Sequence, residues 1–148
     1  MNKVGKTVCL AMLAAACGAS GLWAQDKPVK SDSFMEEKLN LTREWDKVFP
    51  KSDKVNHAKI TFHNRYGVTL AADVYIPKDA SGKLPAIAVS GPFGAVKEQA
   101  SGLYAQTLAE RGFLTLAFDP SFTGESGGQP RYVASPDINT EDFCAAVD

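Results

Sequence analysis

The chain has 148 residues, 45% of them hydrophobic and 22% charged, which supplies a core for one domain or part of one and excludes an intrinsically disordered chain. Its formal charge is −1; residues 1–24 carry Lys3 and Lys6 and no acid, so the remainder holds 14 basic against 17 acidic side chains, a net charge of −3. A slightly acidic chain without a basic stripe excludes a nucleic-acid partner.

The N-terminus has the three parts of an export signal: Lys3 and Lys6, the apolar run from Val8 to Ala16, and small residues up to Ala24. The apolar run is short for a membrane span, so residues 1–24 are expected to act as a cleaved signal peptide and the product to be periplasmic or secreted. Cleavage after Ala24 competes with a second possibility, because Ala14-Ala15-Ala16-Cys17 resembles a lipoprotein box. Lipidation at Cys17 would give a membrane-tethered protein, the one circumstance in which a membrane is a partner. Cleavage after Ala24 removes Cys9 and Cys17, leaves Cys144 alone and rules out an intrachain disulfide framework.

Residues 25–54 read as a polar linker around Pro28 and Ser31-Asp32-Ser33, followed by a peripheral helix. Phe34, Leu41, Trp45 and Val48 fall at roughly helical spacing, and Ser33 can cap them.

The domain proper spans 55–148. Ile60 and Phe62 alternate with Lys59, Thr61 and His63; Asn64-Arg65-Tyr66-Gly67 has turn chemistry; Leu70, Ala72, Val74 and Ile76 alternate with Thr69, Ala71, Asp73 and Tyr75. Those alternations predict two half-buried antiparallel strands joined as a hairpin and ended by Pro77. Ala86-Ile87-Ala88-Val89 is an unbroken apolar run, as expected of a strand covered on both faces. A helix is predicted from about Lys97 to Arg111, with Ala100, Leu103, Tyr104, Thr107, Leu108 and the stem of Arg111 along its inner face and Gly112 as the left-handed stop. Phe113–Phe118 is a second buried strand, so strand, helix and strand make a parallel βαβ unit. Asn139 to Asp148 opens with a cap and acids, sets Phe143 and Val147 four apart, and reads as an amphipathic helix.

The segments Tyr66–Tyr75, Gly91-Pro92-Phe93-Gly94-Ala95-Val96-Lys97-Glu98-Gln99 and Phe118–Gly128 resemble bacterial α/β-hydrolases. The similarity is strongest to the dienelactone-hydrolase-like branch and weaker to the Xaa-Pro dipeptidyl-peptidase-like branch. It implies an α/β fold comprising the N-terminal part of the hydrolase sheet, an antiparallel hairpin followed by a parallel βαβ unit. It also implies a serine hydrolase of small-molecule esters, lactones or amides, with nucleophile, acid and histidine in that chain order and no cofactor or metal. The family's nucleophile elbow would fall about one helix and one strand beyond Asp148. The chain is therefore expected to be a hydrolase front portion, truncated before the elbow, without a catalytic residue and inactive alone. The alternative from another class is a non-catalytic exported binding module.

Gly124-Glu125-Ser126-Gly127-Gly128 satisfies G-x-S-x-G and is also similar to the nucleophile segment of trypsin-like proteases. An elbow serine sits where a strand turns directly into a helix, and Ser126 lies past its strand and before Gln129-Pro130. It is expected to be a loop residue. His57 and His63 are expected on the solvated surface, and neither has cysteines or carboxylates at zinc-ligand spacing. Cys144 is expected to be a small apolar filler within its helix. One functional element remains: the loop after the third strand supplies an oxyanion donor in hydrolases of this kind. Pro92 has no N–H, which leaves Phe93 first and Gly94 second as oxyanion-hole candidates.

Overall fold

A computed structural model describes residues 37–148. The export signal, cleavage at Ala24, Cys17 and the first part of the linker lie outside the described residues. The elements are β1 (Val55–His63), β2 (Thr69–Pro77), β3 (Ala86–Val89), α1 (Ala100–Ala109), β4 (Leu114–Phe118) and α2 (Pro136–Val147).

The strands form a mixed sheet in the order β1-β2-β4-β3. β1 pairs antiparallel with β2 along its whole length, from Val55 opposite Pro77 to His63 opposite Thr69. β2 pairs antiparallel with β4, and β3 pairs parallel with β4. The hairpin and the βαβ unit thus share one sheet, as the patterning predicts. Asn64 closes the hairpin turn, its Oδ1 accepting the N–H groups of both Tyr66 and Val68.

Alternation along the strands divides the core between two faces. On one, Tyr75 and Ala117 pack with Ala105 and Ala109 of α1, and Phe49 and Val55 complete the cluster. On the other, Ala72, Leu116 and Phe118 pack with Phe62 and with Ala146 of α2. The two helices therefore cover opposite faces. The Phe143 ring also meets Phe118 edge-on, with centroids 4.9 Å apart.

Several expectations require correction. Residues 37–48 form no helix: the Val48 N–H goes to the Glu98 carbonyl, and Lys47 is drawn inward by Asp73. β2 is buried on both faces, because it lies between β1 and β4, whereas β3 is a half-exposed edge strand among the described residues. α1 begins three residues late, at Ala100, since Asp119 holds the Lys97 backbone N–H at 2.7 Å. Its inner face is Ser101, Gly102, Ala105, Gln106 and Ala109, and Leu103 and Tyr104 point outward. Small residues won that face because the helix packs closely: a Cβ on Gly102 would crowd the Phe49 ring at about 3.1 Å. α2 starts at Pro136 rather than Asn139 and buries the acids Glu141 and Asp142, while Cys144 is exposed rather than a filler.

Candidate active-site rim

The loops that follow β3 and β4 meet at the carboxyl ends of these two parallel strands, where ligands bind in open α/β sheets. In the first loop the Ala95 N–H bonds the Pro92 carbonyl at 3.0 Å, and Gly94 occupies the third position of the turn with φ +83°. This is a type II turn, and its third position excludes most side chains. Such a turn leaves the N–H groups of Phe93 and Gly94 outside its closing hydrogen bond, and neither bonds to any described residue. Phe93 is 73% exposed. The two predicted oxyanion donors therefore sit at the rim, adjacent and unused.

The second loop is anchored from behind by Asp119, the residue after β4. This fully buried carboxylate accepts the backbone N–H of Lys97 at 2.7 Å, the Lys97 ammonium at 2.9 Å and the N–H of Glu125 at 2.9 Å. Gly124, at φ +54°, passes so close that any Cβ there would run into the Asp119 carboxylate. Around this centre a chain of ion pairs runs outward. Lys97 also pairs with Glu98 and Glu125, Lys59 with Glu125 and Asp46 at 2.7 Å each, Lys47 with Asp46 and with buried Asp73, and Asp73 with His57.

These contacts decide the protonation states. Burial alone would raise the Glu125 carboxyl, but hydrogen bonds from Lys59, Lys97 and the Thr42 N–H outweigh it and hold the group at about 2. Asp46 is likewise held at about 2, burial being overcome by Lys47 and Lys59. Burial would lower the Lys97 ammonium, yet Asp119, Glu125 and Glu98 keep it well above the ordinary lysine range. Among the described residues, Asp46, Glu98 and Glu125 bring carboxylate oxygens within 4.8 Å of one another, spacing that suits a metal ion. The Lys59 ammonium lies 2.7 Å from two of these carboxylates and 3.7 Å from the third, and Lys97 bonds two of them, so lysines already neutralise the cluster.

Ser126 is 2% exposed, and its Oγ is fully engaged: it donates to the Asp119 carbonyl at 2.6 Å and accepts the Ala71 N–H at 2.9 Å. No imidazole bonds to it. It closes the loop against β2, as a serine outside an elbow would. His63 is exposed, as expected. His57 is not. Its Nε2 lies 2.7 Å from Asp73 Oδ1, and its ring packs edge-on to Trp45, with only 14% of the side chain exposed. Sequence reasoning missed this imidazole–carboxylate pair because His57 lies in a polar run; the signal was there in the hairpin register, which places His57 opposite Tyr75 and beside Asp73.

The model of the X-Pro dipeptidyl-peptidase (S15 family) matches residues 66–148. The chain belongs to this family. It is an α/β-hydrolase by fold, and the matching branch is the one with the weaker sequence similarity above. The chain is 77% identical over 111 residues to an uncharacterized protein, PA2218, of Pseudomonas aeruginosa, covering 74% of this chain and 30% of that one. The crystal structure of PA2218 superposes with a TM-score of 0.73 at 76% identity, over 75% of this chain and 35% of that chain. An uncharacterized Escherichia coli protein, YcjY, is 45% identical over 95 residues, covering 63% of this chain and 31% of its own length. The α/β hydrolase GrgF of a Penicillium species superposes with a TM-score of 0.55 at 28% identity, over 62% of this chain and 31% of that chain. The chain thus spans under a third of the length of the curated relatives it matches.

Proposed function

We propose that this chain is the front portion of an exported serine hydrolase that cleaves small esters, lactones or amides, and that it contributes an oxyanion donor rather than the nucleophile. The observation that carries the reading is the type II turn of Pro92–Ala95, which leaves the Phe93 and Gly94 N–H groups unused at the carboxyl ends of parallel strands. Acyl transfer develops negative charge on the carbonyl oxygen, and preorganised backbone donors in such a place stabilise it. Phe93 is the primary donor and Gly94 the second.

The engagement of Ser126 in two backbone hydrogen bonds supports the second half of the proposal. Among the described residues no serine bonds an imidazole, and an oxyanion loop without a base-activated nucleophile lacks covalent and acid–base catalysis, so the 148 residues alone should show no p-nitrophenyl acetate hydrolysis above background. The composition of residues 1–24 supports export, by cleavage after Ala24 or lipidation at Cys17. The intact mass of the product recovered from the periplasm distinguishes these two.

Testing the donor requires removing an N–H without breaking the turn. Proline suits the second position of a type II turn, so Phe93→Pro deletes the donor and keeps the geometry. In a fusion of this chain to the sequence that follows the matched region of PA2218, p-nitrophenyl acetate hydrolysis is expected. Phe93→Pro should lower its kcat by about 10²-fold or more, and Phe93→Ala should not. Equal rates for Phe93→Pro and Phe93→Ala would refute the donor assignment.

A further inference from the structure

Beside the proposed oxyanion turn lies a pocket of about 290 Å³, lined by Phe93, Gly94, Val96, Thr123, Gly124 and Tyr132. A smaller recess adjoins it and shares Phe93, Gly94 and Thr123. No charged side chain lines the pocket. Arg131, next to Tyr132 in the chain, turns its guanidinium to backbone oxygens: it bonds the Ser126 carbonyl and, at 2.6 Å, the Gly124 carbonyl. From there it lies 6.0 Å from the centre of the Tyr132 ring.

Tyr132 is 78% exposed and Phe93 is 73% exposed, so two solvent-facing aromatic rings line this opening. Tyr132 is also held in an unfavourable backbone conformation, with φ 60°, and its N–H donates at 2.9 Å to the carbonyl of Phe122, which is itself at φ 70°. The Phe122 N–H in turn bonds the Gly127 carbonyl at 2.8 Å. Bulky residues adopt such conformations only where the surroundings impose them, and such positions cluster at ligand clamps and active sites. Here the imposed conformation is anchored by the Tyr132–Phe122 and Phe122–Gly127 backbone hydrogen bonds, with Arg131 over the ring.

We infer that Tyr132 and Phe93 form an aromatic jaw that receives an uncharged, ring-bearing apolar acyl group, setting the specificity of the site. The inference rests on the placement of acyl chemistry at this rim. Size and charge select the occupant. A dry cavity of roughly 150 Å³ takes a benzene ring, so this pocket accommodates a ring carrying a short linker to the scissile carbonyl. A carboxylate on the ring would meet no charged side chain among the lining residues and would lose part of its hydration. A methyl group would leave both rings uncovered. Because the Phe93 N–H and the Phe93 ring belong to one residue, a ring seated against Phe93 brings its carbonyl toward the donor.

The test is a titration of the 148-residue chain followed by ¹H–¹⁵N correlation spectra, with phenylacetamide, acetamide and 4-carboxyphenylacetamide as probes. Phenylacetamide should shift the amides of Phe93, Gly94, Gly124 and Tyr132 together and to saturation. Acetamide and 4-carboxyphenylacetamide, which carries its charge on the ring, should bind at least about tenfold more weakly. Tyr132→Gly removes the ring and suits the positive φ, so folding is preserved, and it should weaken phenylacetamide about tenfold. Tyr104→Ser, on the outer face of α1, should leave binding unchanged. Shifts centred away from the rim, an equal response to acetamide, or undiminished binding by Tyr132→Gly would overturn the jaw. Rim binding of phenylacetamide in a chain whose fused form ignores Phe93→Pro would overturn the oxyanion assignment and leave the jaw standing. Loss of kcat on Phe93→Pro without rim binding would do the reverse.

Discussion

The two sides of the β4 terminus differ in how their polar groups are used. Behind the strand, Asp119, Lys97, Glu125, Lys59 and Asp46 saturate one another; in front of it, the Phe93 and Gly94 N–H groups bond to no described residue and two aromatic rings face solvent. Lys97 lies three residues from Gly94 and Glu125 seven from Tyr132, so local composition does not separate the two sides. Geometry does. The interior network fixes the loop from below, and the groups left over on its upper surface are those free to meet a ligand.

The comparison breaks first at its anchor. Asp119→Ala strips three hydrogen bonds and one of the three carboxylates around the buried Lys97 ammonium, a change of about 3 kcal/mol, the low end for breaking a buried pair because Glu98 and Glu125 remain. Urea denaturation should register that loss, and the Phe93 and Tyr132 amides should lose their dispersion with it. Asp142→Ala comes next. Asp142 accepts from Asn64 Nδ2, Ser121 N and Ser121 Oγ, each at 2.8 Å, and ties α2 to the hairpin turn beside Glu141, which accepts the Arg65 N–H at 3.0 Å. Removing it should cost about 2–3 kcal/mol and speed hydrogen exchange of the Asn64–Val68 turn.

Acid sharpens the contrast without mutation. Glu125 and Asp46 have folded-state values near 2, below their ordinary 4.5 and 3.8, so their contribution is complete above pH 4.5 and is lost as pH falls toward 2. Thermal melting across that window should show the decline, and Glu125→Gln should flatten it. The smallest effect belongs to the outer face of α1: Leu103→Ser touches no packed neighbour cluster and should change stability by no more than about 0.5 kcal/mol.

Much of the sheet was legible in the sequence. The period-two alternation of residues 59–76 and the apolar runs at 86–89 and 113–118 carry strand signals that survive tertiary packing, and the hairpin, the βαβ unit and the Gly112 stop at φ +97° follow from them. The helix faces were not legible. Leu103 and Tyr104 are the residues hydrophobic periodicity favours, yet Ser101, Gly102 and Ala105 fit the narrow gap above Tyr75 and Phe49. The ion network was hidden for a different reason: its members come from five separate stretches of chain, and a buried lysine looks like any other until its partners are placed. The rim was half visible. The missing N–H of Pro92 singled out Phe93 and Gly94, whereas nothing in Arg131-Tyr132 announced a ring held at positive φ.

The central claim is that Ser126 is a structural loop residue and that acyl chemistry at this rim depends on backbone donors rather than on its hydroxyl. The most direct measurement is the intact mass and peptide map of the chain after incubation with a fluorophosphonate, which phosphonylates serines activated by a neighbouring base. No adduct should form at Ser126, because its hydroxyl is buried and donates to the Asp119 carbonyl. A stoichiometric adduct on Ser126, abolished by Ser126→Ala, would contradict the account.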